Sequence, residues 1–291
     1  MDGVTDQPMR QIQCQIAKPD VIYTEFISAD GLWRHPDRLA KKLAFTSLQQ
    51  PIVAQLFGAH PEAFAQAASI IHRLGFDGLD INMGCPTKRL SAQGGGANLI
   101  GNYALVDQII TACLKTKVSL SIKTRVASDE KSTLEWITFL SRYPLAALCL
   151  HGRPINQRHA GPVNWPLIAQ AAQIAHKTKI IFLGNGGIKS HSEAIVMCQR
   201  YQLDGSLIGQ AALGNPWVFG HHPPSVADVS QTLLAHARLA YAFYGPKGFP
   251  ATRKHFLRYL KRLPPSLATP VFKSAILSAP TPEELAQILV K

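Results

Sequence analysis

Cys85 stands where a packing residue would not be placed. The stretch Gly78-Leu79-Asp80-Ile81-Asn82-Met83-Gly84-Cys85-Pro86-Thr87-Lys88-Arg89 begins as an apolar run. Asn82, Gly84 and Pro86 then break it, leaving the thiol on a turn just past the carboxyl end of a short buried strand. Gln93-Gly94-Gly95-Gly96-Ala97-Asn98-Leu99 follows, and successive glycines let backbone approach a ligand closely or take positive φ. Other apolar runs also end in polar groups. Gln55 lies in one, Lys123 closes another, and His151-Gly152-Arg153 closes a third. Asn185-Gly186-Gly187-Ile188 and Gly209-Gln210-Ala211-Ala212 end the last two, and such glycine-rich turns offer backbone N–H groups to a phosphate.

These groups need a frame that brings strand ends together. Strands are predicted at 21–26, 52–57, 78–81, 118–123, 146–151, 180–184 and 206–209, with helices at 61–74, 104–115, 133–141, 166–176 and 191–201. Pro61 and Pro166 suit first-turn positions of their helices. Regular strand–helix alternation with buried strands argues a parallel α/β fold, and in α/β barrels the chemistry sits at the carboxyl ends of the strands. Seven strands are one short of a (β/α)₈ TIM barrel. After Trp217 the alternation stops, and Pro223-Pro224 marks a boundary. Residues 1–222 are therefore expected to form a catalytic barrel and 223–291 a small helical domain, broken at Gly245, Pro250, Pro264-Pro265 and Pro280.

Composition narrows the class. Five cysteines without a C-x-x-C pair support neither a disulfide framework nor a zinc site, so no metal is expected. No apolar run reaches the roughly 18 residues that span a bilayer, and the polar start Met1-Asp2-Gly3-Val4 is no signal peptide. A cytoplasmic protein is expected. A net charge of +12 favours a polyanionic partner. The segment 247–273 concentrates it: Lys247, Arg253, Lys254, Arg258, Lys261, Arg262 and Lys273 occur there without an acidic residue, among aromatics such as Phe249, Phe256 and Tyr259. A solvated helix with core aromatics would look similar, but phosphate neutralisation and base stacking fit the pattern better.

The Asn82-Met83-Gly84-Cys85-Pro86 turn followed by Gly94-Gly95-Gly96-Ala97 resembles the hallmark of the tRNA-dihydrouridine synthases, and further motifs follow in order over nearly the whole chain. The resemblance implies an FMN-dependent enzyme reducing uridines in tRNA, with NADPH as electron source. Hydride would pass from flavin N5 to C6 and a proton from Cys85 to C5. A free thiol titrates near about 8.5, so it is protonated at neutral pH and suits that role. By the same motifs Gln55, Lys123, His151, Asn185, Gly186, Gly187, Gly209 and Gln210 would hold the flavin, with Met1 and Asp2 nearby. Asn82, Arg153 and Arg158 would meet the target nucleotide, and Arg253, Lys254 and His255 would face tRNA. Lys88 and Arg89 should point away from the sulfur. Three departures stand out: Gln210 replaces the usual arginine, His159-Ala160-Gly161 replaces an aromatic pattern, and the family's first strand is expected to be missing ahead of Met1.

Rival readings share parts of this pattern. A dihydroorotate dehydrogenase-like FMN barrel would use the same glycine turns on a small molecule, without need of the basic tail. An aldolase-type barrel would use Lys123 as a Schiff-base lysine. A non-catalytic RNA-binding flavoprotein would tolerate the departures. Nothing in the sequence marks an obligate protein partner.

Overall fold

A computed structural model describes residues 1–157 and 160–290, and of Arg89 the backbone only. Seven strands form one parallel sheet in sequence order: β1 (Ile22–Ser28), β2 (Ile52–Phe57), β3 (Gly78–Met83), β4 (Ser119–Arg125), β5 (Ala147–His151), β6 (Ile181–Asn185) and β7 (Gly205–Leu207). All seven predicted strands are present. Helices between them include Pro61–Arg73, Tyr103–Leu114, Glu130–Leu140, Trp165–His176 and His191–Tyr201. Caps set their starts, because the first turn's N–H groups lack partners within the helix. Asn102, Asp129, Asn164 and Ser190 each accept a bond from the backbone N–H three residues on. The Asp129 cap starts its helix at Glu130 rather than at the predicted position 133.

Register sorts the side chains into rows. Leu56, Ile81, Ile122, Leu148 and Phe182 lie side by side across β2–β6 and are fully buried. The opposite face carries the polar groups, because side chains alternate along a strand. Its lowest row contains Gln55, Asp80, Ser121 and Ala147. Next comes Asn82, Lys123, Cys149 and Leu183, and at the carboxyl rim Arg125, His151, Asn185 and Leu207. The α/β barrel architecture thus collects the predicted strand-end groups on one face, in three successive rows.

Among the described residues β1 and β7 are the sheet's edges and share no ladder. The N-terminal turn lies between their ends. Gly3 N–H donates to Glu25 of β1, and the Met1 sulfur lies 4.0 Å from where a side chain on Gly209 would begin.

The chain then closes with helices Val226–Gly248, Arg253–Leu260, Pro270–Ser278 and Pro282–Val290. Gly245, at φ 72, breaks the first of these ahead of Pro246. Their apolar faces form a second cluster around Leu233, Phe249, Phe256 and Tyr259, separate from the core under the sheet. Helix Gln7–Ile16 docks this cluster onto the barrel: Tyr244 Oη donates to Asp6 Oδ2 (2.9 Å), and Tyr259 Oη lies 3.8 Å from Met9 Sδ. No helix among the described residues is long and apolar enough to cross a membrane.

Candidate active site

Asn82 holds the Cys85 turn. Its Oδ1 accepts from both Gly84 N–H (3.2 Å) and Cys85 N–H (3.0 Å), an Asx-type turn that replaces the strand ladder as β3 ends. The Cys85 carbonyl accepts from Ala97 N–H at 3.0 Å. Gly96 makes that approach possible: it sits at φ +64, and a Cβ there would lie 2.5 Å from the Cys85 oxygen. The thiol is half-buried, with Thr87 Oγ1 at 3.4 Å. Lys88 is exposed. Arg125 is close enough to Cys85 for their charges to interact; its Nε donates to the Gly84 carbonyl (3.0 Å) and its Nη1 to the Arg153 and Pro154 carbonyls (3.1 and 3.3 Å). Burial lowers the Arg125 pKa, an effect that the Cys85 thiol opposes and Arg153 reinforces.

Below the turn runs a continuous hydrogen-bond chain. Asn82 Nδ2 donates to Gln55 Oε1 (2.9 Å), and Gln55 Nε2 donates to Asp80 Oδ2 (2.8 Å). Asp80 Oδ1 accepts from Ser121 Oγ at 2.7 Å. Burial pushes the Asp80 carboxyl up to about 6, with Ser121, Gln55 and Lys123 pulling the other way. Lys123 stands beside Asn82 in the next row, half-buried, with no hydrogen-bond or ion-pair partner among the described residues. Cys149 neighbours it, and burial raises that thiol to about 12, which suits the packing role expected of it.

The rim carries the remaining predicted groups. His151 is buried, its Nε2 3.5 Å from Arg153 Nη1. Asn185 Nδ2 donates to the Leu207 carbonyl (2.8 Å), tying β6 to β7. Arg153 donates to the Gly161 carbonyl (2.9 Å), and its Nη2 lies 3.3 Å from where a Cβ on Gly187 would be. Arg125 therefore links the Cys85 turn to the loop that crosses the glycine turn of β6. Gly209 faces Met1, whereas Gln210 is exposed and Asp2 forms an ion pair with Lys42 at 2.6 Å. Arg158 and His159 lie outside the described residues.

One assignment is corrected. His255 is fully buried between helices, so it has no surface to offer RNA, whereas Arg253 and Lys254 are half-buried and Arg258 is exposed. Burial, with the Lys254 charge next, lowers the His255 ring to about 3. Sequence reasoning also passed over Asp80 and Arg125. A carboxylate inside the apolar triplet Leu79-Asp80-Ile81 was a visible signal, since a buried strand tolerates an ionisable group only with dedicated partners. Arg125 lies two residues beyond Lys123 and hence on the same face.

A parallel barrel with a turn-borne thiol, a half-buried lysine and glycine turns at late strand ends defines an α/β-barrel enzyme site. Fold comparison agrees at the level of architecture. A variant of NCR from Zymomonas mobilis matches with a TM-score of 0.53 at 15% identity, over 77% of this chain and 85% of that one. Morphinone reductase matches with a TM-score of 0.52 at 13% identity, over 78% and 85%. At the sequence level the dihydrouridine synthase (Dus) family model covers residues 1–287. The tRNA-dihydrouridine synthase B of Xanthomonas campestris pv. campestris is 32% identical over 298 residues, 97% of this chain and 88% of the relative. The probable tRNA-dihydrouridine synthase 2 of Bacillus subtilis is 31% identical over 229 residues, 77% and 70%. The chain belongs to the dihydrouridine synthase family.

Proposed function

We propose that this protein reduces specific uridines in tRNA to 5,6-dihydrouridine, using FMN with NADPH as reductant, and that Cys85 delivers the proton. The half-buried Cys85 thiol, on a turn pinned by the same Asn82 that pairs with Lys123 across the sheet, is the observation that carries this reading.

The residues present suit a flavin. Lys123 is half-buried and forms no ion pair among the described residues, although its charge acts on buried Asp80, which leaves it available to an anionic ring edge. Open backbone at Gly209, and Arg153 beside Gly187, suit a phosphate. Arg153 is thus placed to supply the charge that Gln210 does not, which moves it from the nucleotide side to the cofactor side. Gln55, His151, Asn185, Gly186 and Gly187 complete the candidate cofactor surface, with Met1 closing it beside Gly209. When bound, the flavin supplies the hydride that goes to C6 of the uracil. Asn82 fixes the backbone on which Cys85 stands, Cys85 donates its proton to C5, and Arg125 keeps the turn and the β5 loop in register. A protonated thiol is the competent form for that step.

The division at 222/223 is part of this reading. It is supported by the separate apolar cluster of the C-terminal helices, whose outer faces carry the basic residues. Replacing Cys85 with Ala is the direct test. Dihydrouridine, mapped by mass in tRNA from cells carrying only this protein, should drop by about 100-fold or more, the scale of a lost general acid. Flavin absorbance and tRNA affinity should stay unchanged. Undiminished dihydrouridine in that variant would remove Cys85 from the chemistry.

A further inference from the structure

Where the first helix meets the C-terminal helices, three groups converge that the reaction does not use. Asp6, His236 and His255 each present a ligand atom within 4.8 Å of the other two. All three are buried, the histidines completely. Asp6 comes from the cap of helix Gln7–Ile16, His236 from helix Val226–Gly248 and His255 from helix Arg253–Leu260.

The hydrogen-bond directions leave imidazole nitrogens of this cluster unpartnered, although the Arg10 and Lys254 charges act on Asp6. Tyr259 lies 2.9 Å from His236 Nδ1 and 3.8 Å from Met9 Sδ. With His236 Nδ1–H donating to the tyrosine oxygen and the hydroxyl donating to the sulfur, His236 Nε2 is left as a bare lone pair. Among the described residues that nitrogen has no hydrogen-bond partner, and neither nitrogen of His255 has one. The Asp6 oxygens accept from Met9 N–H (3.0 Å) and Tyr244 Oη (2.9 Å), which orients the carboxylate without neutralising it. Buried polar atoms are almost always satisfied, so three orphaned imidazole nitrogens around one carboxylate call for a missing partner. Two imidazoles and a carboxylate are the ligand set of three-ligand zinc sites. The Tyr259 contact is the outer hydrogen bond that commonly fixes a ligating histidine's tautomer.

We propose that Asp6, His236 and His255 bind one divalent first-row transition ion, zinc foremost, with water in a fourth position. The ion clips the C-terminal helices to the N-terminal turn that carries Met1 and Gly3. Lys254 lies close enough for its charge to act on both rings, so it weakens the site. The site stands independently of the proposed reaction.

The test uses the full chain, purified without a metal-binding tag, dialysed against zinc and then against zinc-free buffer. Elemental analysis should find about one zinc per chain. The double variant His236→Gln/His255→Gln should retain less than about a tenth of that while still binding FMN. Because the variant could fail to fold, a second measurement uses the unaltered protein. Cobalt(II) should give the visible absorption of a four-coordinate site, and a chelator should lower the unfolding temperature of the protein relative to its zinc-loaded form. Zinc well below stoichiometric in the unaltered protein, equal zinc in the double variant, or cobalt spectra of the hexaaqua ion would each overturn the proposal. Those results would leave a trapped water or a shared proton between the rings.

Discussion

Two buried polar groups of similar size behave in opposite ways. Under the rim, Asn82, Gln55, Asp80 and Ser121 form a chain in which each bond has a donor and an acceptor. At the helix junction, Asp6, His236 and His255 face one another with three nitrogens unpartnered. A completed network in low dielectric fixes one geometry, which is what the Cys85 turn needs; an incomplete one costs free energy until something fills it. Under the proposals above, the first holds the Cys85 turn in place and the second receives a cation. The difference shows that burial alone does not make a polar cluster functional, whereas the balance of donors and acceptors states what each is for.

The largest loss is expected from removing the thiol itself, and the next from crowding Gly96. A Gly96→Ala chain would place a methyl 2.5 Å from the Cys85 carbonyl at a positive φ. The turn must move, and dihydrouridine formation per enzyme should fall by about 100-fold while flavin stays bound, since small misplacements of a reacting group have that scale. Wild-type rates in that variant would mean that the turn geometry is not used.

Asp80→Asn probes the completed chain more gently, with an expected loss of about tenfold in turnover. Its stability signature has a definite sign. The folded carboxyl is held at about 6, above its ordinary value of 3.8. The folded state therefore keeps its proton longer than the unfolded chain, and stability declines as pH rises from about 4 to 6. The penalty above that window is at most about 3 kcal/mol. Urea unfolding at pH 4.5 and 7.5 should show wild type losing ground to the Asn variant at the higher pH. A gap that moves the other way would show that Lys123 and the hydrogen bonds outweigh burial.

The smallest effect is expected on the outer face of the junction. Lys247, Arg258 and Lys261 are exposed on the C-terminal helices. Replacing all three with Gln should reduce the slope of log affinity against log salt for tRNA by roughly two, at about 0.7 for each phosphate no longer neutralised. Catalysis on saturating tRNA should change little. An unaltered slope would move the RNA surface elsewhere.

The strand ends were legible because periodicity and turn residues are local properties. Gly78 to Ile81 reads as strand and Asn82-Met83-Gly84-Cys85-Pro86 as a break in any context. The same holds for the late glycine turns and for Asn164, whose capping follows from its own side chain. Asp80 was visible as an anomaly, but its partners were not, since Gln55 and Ser121 reach it only through strand register. His255 looked like part of a basic surface because its neighbours in sequence are basic; helix packing turned it inward instead.

By itself, then, the sequence determined the parallel strand–helix repeat, the thiol's turn, the glycine turns and the basic tail, each encoded within a few consecutive residues. Tertiary structure alone decided that Arg125 stands beside Cys85, that Arg153 crosses the β6 turn, and that Asp6 meets two histidines more than 200 residues away in the chain. The physical reason is range: propensity and capping act over one turn of chain, whereas charge neutralisation and burial act through space, between residues that only the completed packing brings together.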